Sequence, residues 1–295
     1  MLGNLFRQLT GRQAKAERPR LSFIICSIND ERFDAICANI ARCVIGITYE
    51  VVRARNAKSL TAAYNRGIEM SRGELLVFCH DDIEIMQADF GQRLLADFEQ
   101  YDVFGVAGTS RMVDGYWGTA GQPLLFGQVL QKDQSEDKDQ TKDKDQTKDS
   151  YTLYMFDFHD RPMPQIQGLD GLFIAARREA AERIRFDQER FDGFHLYDAD
   201  FTFRAYLAGL RVGVSRWILL FHQSHGDKNA EWQRGMERFQ EKFRDALPKD
   251  WEPGPAYTLS VAVPTKEAAL PSFLDIRSNP QRYMEWTELS LPDKL

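Results

Sequence analysis

Residues 74–85, read ELLVFCHDDIEI, constrain this chain more than any other stretch. Leu75-Leu76-Val77-Phe78-Cys79 is a short, unbroken apolar run, partly β-branched or aromatic. That pattern suits a strand buried on both faces of a parallel sheet. His80, Asp81 and Asp82 follow at once. In open α/β sheets, ligands bind beyond the carboxyl ends of the strands. An imidazole and two carboxylates there are placed to hold a divalent cation against a phosphorylated ligand. The same residues are equally compatible with a helix that starts near Ile83 and is capped by Asp81 and Asp82. The flanking sequence has to separate the two readings.

With 295 residues, 43% of them hydrophobic, the chain can bury a full core, and one large α/β domain with extensions is expected. A formal net charge of −6 argues against a general nucleic-acid binder, which would carry a basic surface. Cys26, Cys37, Cys43 and Cys79 form no CxxC pair. Cys26 and Cys79 end predicted strands and read as small buried hydrophobes, so a cytoplasmic location is expected. No apolar stretch reaches transmembrane length. Residues 1–20 form a basic leader without a signal peptide's apolar core. Leu2, Leu5, Phe6 and Leu9 are at helical spacing there, compatible with weak peripheral membrane contact or with a loosely ordered leader.

Leu21 to Cys26 reads as a first buried strand, ending in the polar turn Ser27-Ile28-Asn29-Asp30, where a nucleotide would rest in an α/β fold. Neither GxGxxG nor GxxxxGK[ST] follows it, which disfavours a dinucleotide-binding fold and a P-loop. A helix over 34–43 and a strand over 49–53 come next. Leu60, Ala63, Tyr64 and Ile68 have helical spacing behind Ser59, a plausible N-cap. A helix N-terminus beside Asn56 and Lys58 would suit a phosphate, and a plain capped helix fits as well.

A helix over 88–100 and a strand over 103–108 follow, then a Gly- and aromatic-rich segment, 109–130, that reads as mobile or substrate-facing. Residues 131–150, QKDQSEDKDQTKDKDQTKDS, contain no apolar residue and read as a disordered low-complexity insert. Order resumes with a strand ending at Ile174, entered through the glycine-flanked turn at Asp170-Gly171. A helix after Tyr197-Asp198-Ala199-Asp200 directs Phe201, Ala205 and Leu207-Ala208 inward and ends at Gly209. An apolar segment then leads into His222-Gln223-Ser224-His225, and an amphipathic helix covers 228–245. Residues 246–295, punctuated by proline, read as an extended tail that wraps or tethers.

Together these pieces resemble the family-two-type glycosyltransferases of the GT-A fold. The polar turn of SFIICSIND is the first point of similarity. A segment of the kind N-x-G-x-x-x-A-x-N-x-G appears from Asn56 to Asn65-Arg66-Gly67, and the strand ending in Asp-x-Asp appears as LLVFCHDDIEI. The acceptor-side signature appears as Phe186-Asp187, Phe191, Tyr197-Asp198-Ala199-Asp200, Arg204 and Gly209, with His222 closing the series. The similarity covers residues 21–245 and is closest to a glycosyltransferase-like branch in which His replaces the first Asp. The chain departs from the family pattern at His80-Asp81-Asp82, at Tyr197 in place of the usual Glu, and at Arg53-Ala54-Arg55-Asn56 in place of an acidic segment.

The resemblance implies a mixed, mostly parallel GT-A-like (Rossmann-like) sheet flanked by helices. It implies a metal-dependent, inverting transfer from a nucleotide-sugar donor to a saccharide, lipid-linked or protein acceptor, as in polysaccharide biosynthesis. Mn²⁺ or Mg²⁺ would be held by Asp82 and His222, with His80 in place of the first Asp and His225 a further candidate. Ser27, Asn29, Asn56, Lys58, Asn65 and Asp81 would face the donor nucleotide. Asp198 would be the base that takes the acceptor's proton. Asp170, Gly171 and Asp200 would face the acceptor or the sugar, with a turn role for Asp170 and a helix-orienting role for Asp200, paired with Arg204, left open. Two other readings remain: a non-catalytic sugar- or nucleotide-binding relative, and a sugar-phosphate nucleotidyltransferase, whose Gly-rich basic loop after the first strand is missing.

Overall fold

The computed structural model describes residues 20–133, 150–158, 162–224, 226–252 and 258–283. In chain order the first half contains β1 (Leu21–Cys26), α1 (Asp30–Cys43), β2 (Tyr49–Ala54), α2 (Leu60–Met70), β3 (Leu75–Cys79), β4 (Ile83–Ile85), α3 (Phe90–Gln100), β5 (Val103–Gly105), β6 (Ala107–Thr109) and β7 (Leu125–Lys132). The second half contains β8 (Tyr151–Met155), β9 (Gly168–Leu169), β10 (Phe173–Arg177), α4 (Arg178–Ile184), α5 (Tyr197–Leu207), β11 (Val212–Val214), β12 (Leu220–His222), α6 (Ala230–Lys242), β13 (Leu259–Val263) and α7 (Lys266–Ser278).

The apolar runs of β1 and β3 are buried on both faces and pair in parallel at the centre of a six-stranded sheet, in the order β11-β5-β10-β3-β1-β2. Side chains of a strand alternate between faces, and the core divides accordingly. Phe23, Ile25, Val77 and Cys79 pack with α1 and α3 on one face. Ile24, Leu76 and Phe78 pack on the other with Tyr64 of α2 and Tyr197 and Phe201 of α5. Strand β10 runs antiparallel between β3 and β5, so the sheet is mixed, as expected.

A second sheet, in the order β13-β8-β7-β12-β4, is absent from the sequence reading. Two expectations change with it. Gln131 and Lys132 are not part of the insert: they are strand residues paired with Thr152 and Tyr151, where the β7–β8 ladder that begins at Gln128 continues. Residues 134–149 lie outside the described residues. Part of the expected tail is packed structure: β13 pairs with β8, and α7 buries Ala269, Phe273 and Ile276 against Leu153, Met155 and Leu219. Leu207, expected inside, is 50% exposed, since it falls on the solvent side of the last turn of α5. Gly209 does end that helix, at φ 77°, the left-handed conformation that glycine adopts without strain. Residues 1–19 lie outside the described residues. No helix among the described residues is long and apolar enough to cross a membrane.

Candidate functional site

The alternation that buries Leu76 and Phe78 on the α5 side of β3 carries the next even position, His80, to that side as well. Its Nε2 lies 2.7 Å from the Tyr197 hydroxyl. The helix that Asp81 and Asp82 could have capped does not form. Ile83–Ile85 is instead strand β4, paired antiparallel with β12 so that His222 sits opposite Ile83, and Gln223 N–H donates to the Asp82 carbonyl at 3.1 Å. This register places the His222 imidazole against the Asp82 carboxylate, 140 positions away in the chain.

Three donors converge as a result. His222 Nε2 lies 3.5 Å and His80 Nδ1 3.9 Å from Asp82 Oδ1, and one ligand atom from each residue falls within 4.8 Å of the other two. Burial opposes the charge on Asp82. Hydrogen bonds from His222 and Ser224 and the two nearby imidazoles outweigh it and hold the carboxyl well below the usual carboxylate range. Burial first, and His222 second, lower the pKa of His80 against the pull of Asp82, Asp170 and Asp81, so the ring is neutral near pH 7. Two imidazoles and an ionised carboxylate form a donor set that fits a divalent first-row cation. His225 lies outside the described residues.

Helix α5 supplies the facing wall. Its first turn follows Leu196, a buried non-glycine residue at φ 60°, a conformation that costs free energy and persists only where packing enforces it. Asp198, one position further than Tyr197, lines a cavity of about 450 Å³ that His80, His222, Asp170 and Gly171 also line. Burial and then the charge of Asp170 push the Asp198 carboxyl up to about 7, although the backbone N–H groups of Ala199, Asp198 and Gly171 offset part of the effect. Asp170 is fixed in the β9–β10 turn, accepting from Leu172 N–H and from Trp117 Nε1–H, each at 2.9 Å. The Gly171 carbonyl accepts from the Tyr197 hydroxyl at 2.9 Å. A Cβ at position 171 would overlap that hydroxyl, so glycine is required here by close approach.

The remaining candidates separate into two groups. Parallel pairing aligns the ends of β1, β2 and β3 and brings Ser27, Asn29, Asn56 and Asp81 to one edge of the sheet. There Ser27 Oγ donates to the Asn29 carbonyl, Asn29 caps α1, Asn56 takes φ 51°, and Asp81 lies 3.9 Å from Arg32. Asn65, Lys58 and Asp200 are not brought there. Asn65 is committed to the loop before α5: it donates to the Phe186 carbonyl at 2.8 Å and accepts from Phe186 N–H at 2.9 Å. Lys58 lines a separate cavity with Asp192, His195, Arg234 and Arg238. The α2 N-terminus beside it is closed by protein groups, with Leu60 N–H bonded to the Gly193 carbonyl and Ala62 N–H to Ser59 Oγ. Asp200 is 1% exposed and faces away from the cavity into an ion-pair network with Arg204 and Lys242, the helix-orienting alternative.

The sequence reading passed over Tyr197, Lys228 and Trp232. Lys228 and Trp232 line the cavity together with Tyr116 and Trp117, and the Lys228 ammonium sits 4.2 Å from the centre of the Tyr116 ring. For Tyr197 a signal was present: two of the three departures from the family pattern, at His80 and at Tyr197, are hydrogen-bonded neighbours in space.

The α/β sheet thus carries, at one strand end, a metal-type donor cluster whose imidazoles share a cavity with the Asp198 carboxylate. The model of the Glycosyltransferase like family matches residues 22–243; the chain belongs to that family and is a glycosyltransferase of the GT-A-like fold. No curated protein matches the sequence. Among solved structures, S. aureus TarS in complex with UDP is 13% identical, with 93% of this chain and 76% of that chain covered at a TM-score of 0.45. A complex of Drosophila β1,4-galactosyltransferase 7 with manganese, UDP-Gal and xylobiose is 11% identical, with 66% and 65% covered at 0.39. The STIV protein A197 is 19% identical, with 71% and 87% covered at 0.36. These similarities are distant, and the family assignment rests on the match over residues 22–243.

Proposed function

We propose that this glycosyltransferase moves a sugar, with inversion, from a nucleotide-diphosphate donor to a hydroxyl of a saccharide, lipid-linked or protein acceptor. The observation that carries the reading is that Asp198 shares one cavity with His80 and His222, the two imidazoles that cluster with Asp82. A divalent cation held by those three residues would neutralise charge developing on the leaving diphosphate. Two imidazoles beside a single carboxylate favour Mn²⁺ over Mg²⁺, which prefers oxygen ligands.

The acceptor oxygen forms the new bond to the anomeric carbon. The bond from that carbon to the diphosphate oxygen breaks, and its electron pair leaves with the nucleoside diphosphate. The acceptor's proton passes to Asp198. A base poised near the working pH is best matched to that transfer, and burial beside Asp170 gives Asp198 that property. Asp170 and Gly171 shape the floor between the two groups. The donor nucleotide rests along the edge formed by Ser27, Asn29, Asn56 and Asp81, and Tyr116, Trp117 and Trp232 offer apolar faces for an acceptor sugar to cover.

Nucleotide-induced thermal stabilisation tests the reading, because a ligand that binds only the folded state raises its stability. UDP, GDP, dTDP and CMP are each added with Mn²⁺, with Mg²⁺ and with EDTA, to wild type and to Asp82→Asn. A Mn²⁺-dependent shift with one nucleotide, lost in the variant, is expected. No shift with any nucleotide would sink the donor site.

A further inference from the structure

We infer that Tyr197 is a positioning residue whose hydroxyl locks the His80 ring in the tautomer that carries its proton on Nε2, leaving Nδ1 as a free electron pair turned toward Asp82. This rests on the glycosyltransferase reading of the cavity for its purpose, but on geometry alone for its substance.

A tyrosine hydroxyl has one proton to donate and oxygen lone pairs with which to accept. The Tyr197 hydroxyl donates to the Gly171 carbonyl at 2.9 Å, and a carbonyl can only accept. The His80 Nε2 atom, 2.7 Å from the same oxygen, is then the donor. A neutral imidazole bears one N–H, and the hydrogen bond made by one ring nitrogen decides the state of the other. With Nε2 protonated, Nδ1 is the acceptor, and it is the nitrogen 3.9 Å from Asp82 Oδ1. In the opposite tautomer an Nδ1–H would point at that carboxylate and could not serve as a ligand. The bond from Tyr197 thus decides whether His80 belongs to the cluster as a donor of electrons or merely as a donor of a proton.

The tyrosine is held in place for this task. It is buried, its ring centre 5.6 Å from that of Tyr64 and 6.4 Å from that of Phe186. Its hydroxyl occupies the space that a side chain at position 171 would need. His80 N–H donates to the Leu172 carbonyl at 3.2 Å, so the His80 backbone is tied to the residue next to Gly171, whose carbonyl holds the Tyr197 hydroxyl. Partners of this kind, bonded to the far nitrogen of a ligating histidine, orient the ring, and losing one weakens metal binding by roughly 10–100-fold.

The test uses the full chain in two measurements. Long-range ¹H–¹⁵N correlation NMR of the metal-free protein at pH 8 reads the protonated nitrogen of each histidine, with His80 assigned through its absence in His80→Asn. Wild type is expected to show His80 as the Nε2–H tautomer, and Tyr197→Phe, which keeps the ring and its packing, to show a mixture or the Nδ1–H form with His222 unchanged. Titration with Mn²⁺ alone, followed by water-proton relaxation, is expected to show affinity about 10-fold weaker in Tyr197→Phe. A wild-type His80 in the Nδ1–H form would overturn the inference, as would a tautomer and a Mn²⁺ affinity both unmoved by Tyr197→Phe. The tautomer readout involves no nucleotide or sugar. If every nucleotide fails to bind, the donor reading falls while this result stands or falls by itself.

Discussion

Helix α5 has two faces, and two aspartates in its first turn meet opposite fates on them. At 100° per residue, Asp198 and Asp200 point about 200° apart. Asp200 turns inward, where Arg204 donates to it at 2.9 and 2.6 Å and Lys242 at 2.5 Å. Asp198 turns to the cavity, makes no ion pair among the described residues, and has a carboxyl pushed up to about 7. A buried charge that is paired and hydrogen-bonded holds structure together. A part-buried charge left without a cation becomes a proton acceptor near neutral pH. Residue type and helical turn are shared, so the face of the helix and its surroundings set the two carboxyls apart.

The largest effect expected from this contrast is on rate. Asp198→Asn should lower kcat by about 10²–10⁴-fold, the usual worth of a positioned base, with Mn²⁺ affinity kept. Asp200→Asn should leave the rate per folded molecule within about threefold. Equal losses in both variants would erase the distinction. On stability the order reverses: Asp200→Asn leaves Arg204 and Lys242 facing a neutral group and should cost about 3 kcal/mol, measured by urea unfolding. Asp198→Asn should cost nothing at pH 8.

The pH dependence follows from the same residue. Its folded pKa of about 7 lies above the ordinary 3.8. Between those values the folded state holds a proton that the unfolded chain has released, so this group's contribution to stability falls as pH rises through the window and stays low above it. The Tm difference, Asp198→Asn minus wild type, should therefore grow from pH 5 to pH 8. Meanwhile wild-type kcat/KM should drop about tenfold per unit below pH 7 as the base is protonated. A flat Tm difference would show that Asp198 is not perturbed. The smallest effect belongs to Lys266, whose 2.5 Å pair with Glu84 joins α7 to β4 at a part-exposed site. Lys266→Ala should cost under about 1 kcal/mol, against the buried pairing of Asp200.

What could be read from the sequence was what local pattern determines. The apolar runs of β1 and β3, the Ser59 cap and the left-handed Gly209 need only neighbouring residues to be recognised. The site was legible where it followed directly on a strand, as with His80 and Asp82. His222 was legible only through resemblance, because its place depends on the β4–β12 register, and three-residue strands carry too little periodicity to show their partners. The fate of Asp200 was hidden because Lys242 reaches it from α6. The packing of α7 was hidden because Pro271, inside the helix, marks a breaker by local rules: it forgoes the bond to the Glu267 carbonyl, a loss set against the burial of Ala269, Phe273 and Ile276.

Strands β7 and β8 are zipped as far as Asp133 and Ser150, whose backbone bond measures 2.9 Å. The β7–β8 ladder brings these two ends together. The cost of closing a loop grows only with the logarithm of its length, about 0.6 kcal/mol for each doubling. The hairpin is therefore a docking port for engineering: an affinity peptide or a fluorescent domain spliced between Asp133 and Ser150 should leave the register of β7 and β12, and with it His222, undisturbed.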